Sequence, residues 1–103
     1  MINAEIISLL GLAQKAGKVI SGDNTCRAKF KSLKLVILSE DCSDKTKKFF
    51  QYKCIKEQKP ILTIGKRNDL GMALGKSPRT VLGITDSNFA RQIIKLITGE
   101  EEG

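Results

Sequence analysis

Apolar positions along this chain keep a helical period in some stretches and run unbroken in others. Ile6, Leu9, Leu10 and Ala13 recur at i, i+3, i+4, i+7, which predicts a helix over 3–16 with Gly17 as its left-handed stop. A short extended piece, Val19–Ser21, follows. Gly22, Asp23 and Asn24 then supply small polar residues where a helix start wants caps, and Cys26, Phe30 and Leu33 form the inward stripe of a helix over about 22–33. Leu35–Leu38 are apolar without alternation, as in a strand covered on both faces, and that strand ends at Ser39. Phe50 and Cys54 point inward from a helix that starts at Ser43 or Asp44 and reaches about Gln58, where Lys59-Pro60 closes it. "ILTI" is a second buried strand, 67–75 a short helix, and "TVLGI" a third core strand. A last helix, capped by Asp86 or Ser87, turns Ala90, Ile93, Ile94 and Ile97 to the core. Strands alternating with helices predict an α/β fold, a three-layer α/β/α sandwich around a small mixed, largely parallel sheet.

A chain of 103 residues fits one domain, expected over 1–99, with an acidic tail at 100–103. Charge changes the picture more than size does. Eighteen Lys and Arg face eleven Asp and Glu, and three of those acids are Glu100, Glu101 and Glu102, so residues 1–99 hold 18 against 8, or +10. A field of that size attracts nucleic acid or anionic lipid. No stretch approaches the roughly 20 apolar residues of a bilayer span, and the N-terminus lacks a secretory signal, so a cytoplasmic monomer is expected, away from membranes.

Catalytic and metal chemistry find little to work with. Cys26, Cys42 and Cys54 have no CxxC spacing and the chain has no His, which excludes the usual zinc sets and a Cys-His pair; all three read as reduced, small apolar residues. No metal, no cofactor and no enzymatic activity are expected. "GMALGKS", Gly71–Ser77, imitates a phosphate loop but is one residue short, and Pro78 and a strand follow where a helix is required. Asp23, Asp44, Asp69 and Asp86 stand at predicted helix starts, where capping explains them. Glu40-Asp41 lies instead beyond the carboxyl end of a core strand, a usual ligand position in open α/β sheets, with a structural or RNA-orienting role.

The remaining constellation is polar and basic. In such a sandwich "SGDN", the Lys66-Arg67 pair and "GKSPRT" can meet at one end of the sheet. The helix start would offer short polar side chains to base edges, while Arg27, Lys29, Lys31, Lys76 and Arg79 hold phosphates. Phosphate contacts position an RNA and base contacts specify it. The phenylalanines read as buried or helix-bound and only Tyr52 as free, which favours structured RNA over stacked single strands.

"GLAQKAGKVISG", "KLVILSEDCSDKTKK", "LGMALGK" and "GITDSNFA" resemble the bacterial YlxQ-like branch of the ribosomal L-seven-Ae and L-thirty-e superfamily, over nearly the whole chain and in the same element order. The resemblance implies an α/β/α sandwich that binds kink-turn RNA, a sharply bent helix with tandem sheared G·A pairs. By the same resemblance Gly22, Asp23, Asn24 and Thr25 form the loop and helix start that meet the guanines of the kink. Lys76, Ser77, Pro78, Arg79 and Thr80 form the loop that covers extruded bases, Glu40 and Asp41 the acidic pair, and Arg67 the basic residue at the fourth helix. Relatives usually carry Glu where Thr25 stands, and a Lys one turn on, which falls here on Arg27, Ala28 or Lys29 in a stretch about two residues shorter. Those departures leave a protein-interaction adaptor on the same fold as the alternative.

Overall fold

A computed structural model describes residues 2–99, and the acidic tail lies outside the described residues. Its helices are α1 (Ala4–Lys15), α2 (Asp23–Ala28), α3 (Asp44–Lys56), α4 (Arg67–Leu74) and α5 (Ser87–Thr98); its strands are β1 (Val19–Ser21), β2 (Leu35–Leu38), β3 (Ile61–Thr63) and β4 (Val81–Ile84). Successive side chains of a strand face opposite ways, and the unbroken apolar runs of β2 and β4 therefore feed two cores. Leu35, Ile37, Leu82 and Ile84 meet Ile6, Leu10, Leu70 and Ile93 of α1, α4 and α5. Val36, Leu38 and Val81 meet Cys26, Phe30, Leu33, Phe50 and Cys54 on the other face. Each fully buried Leu, Ile or Phe contributes about 1.5–3 kcal/mol, so these two cores hold the three layers together. Gly83 faces the second core without a side chain because Leu33 fills the space, one methyl lying 2.8 Å from where a Cβ would stand.

The caps fall close to their expected places. Asn3 accepts from the Ile6 amide at 3.0 Å, Ser43 from Thr46 at 3.2 Å, and Asp86 from Phe89 at 2.9 Å.

Four sequence expectations need correction. The sheet has the order β1-β4-β2-β3 and is mixed, but β4 runs antiparallel to both β1 and β2, and only β2 with β3 is parallel. The reason lies after α4. This helix of 8 residues spans only about 12 Å. The chain then folds back along it, with the Lys76 amide on the Gly71 carbonyl (2.8 Å) and the Arg79 amide on the Arg67 carbonyl (3.0 Å), so β4 starts at the end of the sheet where α4 itself began. Second, β3 is a partly exposed edge strand and not a buried one. Third, the helix expected over 22–33 stops at Ala28, and Phe30–Ser32 form a 3-10 turn. There the Ser32 hydroxyl donates to the Lys29 carbonyl at 2.8 Å, and Lys59 Nζ donates to the carbonyls of Phe30, Lys31 and Leu33 at 2.8, 3.1 and 2.8 Å. Side-chain donors that satisfy carbonyls in this way replace helical bonds. Fourth, the third helix ends earlier, at Lys56, with Gln58 left-handed at φ 56.

Candidate nucleic-acid interface

Register decides which loops are neighbours. Ser21 pairs with Leu82 and Leu38 with both Val81 and Thr63, so the end of β1, the ends of β2 and β3 and the start of β4 lie along one edge. Backbone bonds close it: Gly22 N–H to the Val81 carbonyl at 2.9 Å, Ser39 N–H to Thr80 at 2.9 Å, and Glu40 N–H to Gly65 at 2.7 Å. The three polar loops therefore do converge, as the sequence suggested.

Arg79 joins two of them. Its Nε donates to Ser21 Oγ at 3.2 Å, and its Nη1 to the Ser77 carbonyl, the Ser77 hydroxyl and the Pro78 carbonyl at 3.0, 2.7 and 3.1 Å. A planar guanidinium with its donors in a fixed fork can make this set, and it locks the segment 77–79 to the residue before Gly22. Asn24, Thr25, Lys76, Ser77 and Pro78 are exposed along the resulting rim, while Gly22, Asp23 and Arg79 are half-buried. Gly22 adopts φ 102, where a side chain would be strained.

Asp23 departs from the capping role expected of it. Gly22 is the N-cap, no side chain caps it, and Asp23 is the first residue of α2. The Asp23 carboxylate accepts from Arg27 Nε, and from Thr46 Oγ1 at 2.6 Å, which ties α2 to α3. Arg27 in turn lies 3.9 Å above the Phe49 ring, a stacked cation–π contact. Its guanidinium thus serves first as an internal brace.

The Arg27 hydrogen bond, reinforced by Thr46 and opposed by burial, holds the Asp23 carboxyl below its ordinary 3.8. A folded-state pKa depressed in this way gives stability that is complete above the unfolded value and is lost as pH falls through the folded one. Asp23→Asn is accordingly expected to unfold at lower urea than the parent at pH 7, with the gap between their midpoints closing below about pH 4. A gap that persists unchanged at pH 3 would show that the carboxylate charge is not what binds the two helices.

Glu40-Asp41 and Lys66-Arg67 neutralise one another at the same edge. Asp41 accepts from the Arg67 amide at 2.9 Å and from its Nε at 3.2 Å, while Arg67 Nη2 donates to the Asp41 carbonyl at 2.7 Å. Lys66 Nζ lies 3.3 Å from Glu40 and holds that carboxyl below its usual range. Arg67 therefore anchors the start of α4 and supports the returning segment through its carbonyl.

Lys29 and Lys31 do not join this rim. They line a separate shallow groove of about 590 Å³ with Arg27, Phe30, Ser32 and Lys53. The chain beyond it reaches the opposite end of the sheet, where the Lys34 amide bonds to the Ile84 carbonyl. The helical period that places Arg27 and Lys31 on one face fails once the helix breaks after Ala28.

Three contributors escape the sequence reading, and a fourth, Ser21, enters it only as part of "SGDN" and without its partner. Ser21 and Thr46 are hydroxyls whose partners lie 58 and 23 residues away. Phe49 is a platform for Arg27. Gly71 admits the returning backbone, since a Cβ there would stand 2.7 Å from the Ser77 carbonyl carbon and 2.9 Å from the Lys76 oxygen. Its signal was a glycine inside a helical pattern, which marks close approach of another segment.

Burial pushes the thiol of Cys26 up to about 12 and that of Cys54 to about 11, which keeps both in the unreactive protonated form. No cluster of metal-ligating side chains occurs among the described residues. No helix among them is long and apolar enough to cross a membrane.

Known proteins share both the sequence and the architecture. The sequence model of the Ribosomal protein L7Ae/L30e/S12e/Gadd45 family matches residues 4–94. The chain is 37% identical over 99 residues to RNA-binding protein YlxQ of Bacillus subtilis (strain 168), covering 94% of this chain and 99% of that protein. It is 34% identical over 95 residues to RNA-binding protein YlxQ of Enterococcus faecium, covering 90% and 91%. Among solved structures, a protein of unknown function from Bacillus halodurans C superposes with a TM-score of 0.88 at 38% identity, over 93% of this chain and 99% of the other. A Giardia lamblia 15.5kD RNA binding protein superposes with a TM-score of 0.75 at 21% identity, over 96% and 92%, which speaks to the fold.

Proposed function

This chain belongs to the Ribosomal protein L7Ae/L30e/S12e/Gadd45 family, and from that premise we propose that it binds structured RNA of the kink-turn or a similarly bent type, without catalysing a reaction. The observation that carries the reading is the Arg79 clamp, which makes Gly22–Thr25 and Ser77–Thr80 one continuous polar and basic rim. A straight duplex offers few base edges to a convex protein edge, whereas a bent one with unpaired or sheared bases exposes them. Two relatives more than 30% identical over nine-tenths of this chain bear the name RNA-binding protein, which supports the ligand class. The net +10 of residues 1–99 supplies steering toward phosphate.

The rim is already built in the free protein, tied by side-chain and backbone hydrogen bonds, so little ordering entropy is lost on binding. Asn24, Thr25 and Lys76 are exposed on the rim; in this reading Asn24 and Thr25 touch bases and Lys76 touches phosphate. Asp23 and Arg27 act one step back, as positioning residues that fix α2 against α3.

A gel-shift titration of a kink-turn duplex against a straight duplex of equal length, each at two salt concentrations, tests the reading. The kinked duplex is expected to bind more tightly, with affinity falling steeply as salt rises. Asn24→Ala is expected to reduce the kinked-to-straight preference severalfold, the loss of a single base contact, while leaving straight-duplex binding nearly unchanged. Equal weak binding to both duplexes by the parent protein would overturn the reading and favour a protein partner.

A further inference from the structure

We propose that the outer face of α3 is a second RNA contact, which holds an unpaired strand leaving the rim by its phosphates and stacks one of its bases on Tyr52. Residues 45–56 contain five lysines and no acid. Solvated helix faces gain stability from opposite charges three or four residues apart, whereas Lys45 with Lys48 and Lys53 with Lys56 place like charges at that spacing. Asp44 and the Lys53–Glu57 ion pair (2.9 Å) offset this only at the two ends of the helix, and the packing of its inner face through Phe50 and Cys54 does not require the exposed lysines.

The outer stripe also carries apolar surface that no part of the fold covers. Tyr52 is 66% and Ile55 78% exposed. Both lie on the side of α3 opposite Phe50 and Cys54, between exposed Lys48 and Lys56, and the Lys56 ammonium stands 6.0 Å from the Tyr52 ring centre. An aromatic face flanked by cations at one-turn spacing suits a nucleotide, whose base stacks while its phosphates meet the lysines. An acidic polypeptide would satisfy the lysines but give the ring nothing to stack on.

Position links this face to the rim. The Asp23–Thr46 hydrogen bond and the Arg27–Phe49 stack hold the first turns of α3 against the start of α2. Lys45 therefore stands beside the rim, and Lys56, about 16 Å further along the helix axis, marks the far end of the track. On the opposite face of the sheet α1 carries Glu5 and Lys15 as its only charged residues, and α5, which does carry Arg91 and Lys95, has Gln92, Ile93 and Ile94 and no aromatic between them.

The direction of the track rests on the proposed function, but its test does not. A single-stranded RNA of about ten nucleotides, labelled with a fluorophore, is titrated with the full-length protein and followed by anisotropy. Tyr52→Ala is expected to weaken binding about tenfold and Tyr52→Phe to leave it nearly unchanged. Replacing Lys48 and Lys56 together by Gln should lower the slope of log affinity against log salt by about 1.4, or about 0.7 per phosphate contact. Tyr52→Ala, away from the rim, should leave the kinked-to-straight duplex preference as in the parent, so loss of kink preference and loss of strand binding separate. The proposal fails if the parent protein does not bind the oligonucleotide, if Tyr52→Ala binds as the parent does, or if polyglutamate competes for the same lysines as effectively as RNA. Tyr52, Lys48 and Lys56 are exposed, and circular dichroism of the variants confirms that a lost signal is not lost folding.

Discussion

Gly71→Ala is expected to detach the segment 76–79 from α4, to destabilise the protein by about 1–3 kcal/mol in urea unfolding, and to weaken binding to a kink-turn duplex at least tenfold. The obstacle to a methyl group here is backbone, the Ser77 carbonyl and the Lys76 oxygen, so no side-chain rotation can relieve it. Either α4 moves from the first core, into which Leu70, Ala73 and Leu74 are buried, or the loop moves outward. The loop is the cheaper of the two, since Lys76, Ser77 and Pro78 bury little. Its displacement would carry Ser77 and Pro78 away from the Arg79 guanidinium and dissolve the rim. Gly75→Ala is the control. Gly75 adopts φ 68 with open space around it, so alanine there meets only the left-handed backbone cost of about 1–2 kcal/mol and leaves the loop seated. If the two variants lose RNA affinity equally, close packing at Gly71 is not what shapes the interface.

The same segment explains where the sequence was and was not legible. Leu35–Leu38 announced a strand covered on both faces, and the structure sends Leu35 and Ile37 to one core and Val36 and Leu38 to the other. The inward stripes of Ile6, Leu10 and Ala13 and of Ala90 and Ile93 were equally plain, because helical periodicity is a local property. Strand direction is not local. Regular alternation of strand and helix suggests parallel crossovers, but a crossover needs a connection that carries the chain back to the start of its neighbour. Here 75–80 retraces α4 instead, and β4 enters the sheet reversed. The relevant signals are Gly71, which the sequence also offers as part of an imperfect phosphate loop, and Pro78, which counts against that loop.

The site was legible to the extent that it is loop chemistry at one edge of a sheet. "SGDN" and "GKSPRT" were recognisable from composition, and the register brings them together. The expected reach of Arg27, Lys29 and Lys31 onto that rim depended on an uninterrupted helix over 22–33. Once Lys59 satisfies the carbonyls of Phe30, Lys31 and Leu33, the turn tightens and the lysines leave that face. An interaction between residues nearly 30 positions apart decides the geometry, and no spacing within the segment records it. Asp23 shows the converse: a residue typical of caps is drawn off by Arg27 and Thr46, because a charged donor outbids a backbone amide for the same carboxylate.

Arg79→Lys is expected to cost most of the kinked-to-straight preference, about tenfold, while binding to a straight duplex and its salt dependence remain close to those of the parent. The charge is kept, so steering is kept. What is lost is the fork: Nε on Ser21 and Nη1 on Ser77 and Pro78 are separate donors of one rigid plane, and a single ammonium cannot reach both loops at those distances. Ser21→Ala removes the other end of the tie and should reproduce a smaller part of the same loss, without changing net charge at all. A combined Ser21→Ala, Arg79→Lys protein should then bind kinked RNA no more weakly than Arg79→Lys alone, since the pair acts through one contact. Additive losses would mean that Arg79 acts on the RNA directly as a phosphate partner, with the two loops held together by the backbone bonds from Gly22 to Val81 and from Arg79 to Arg67.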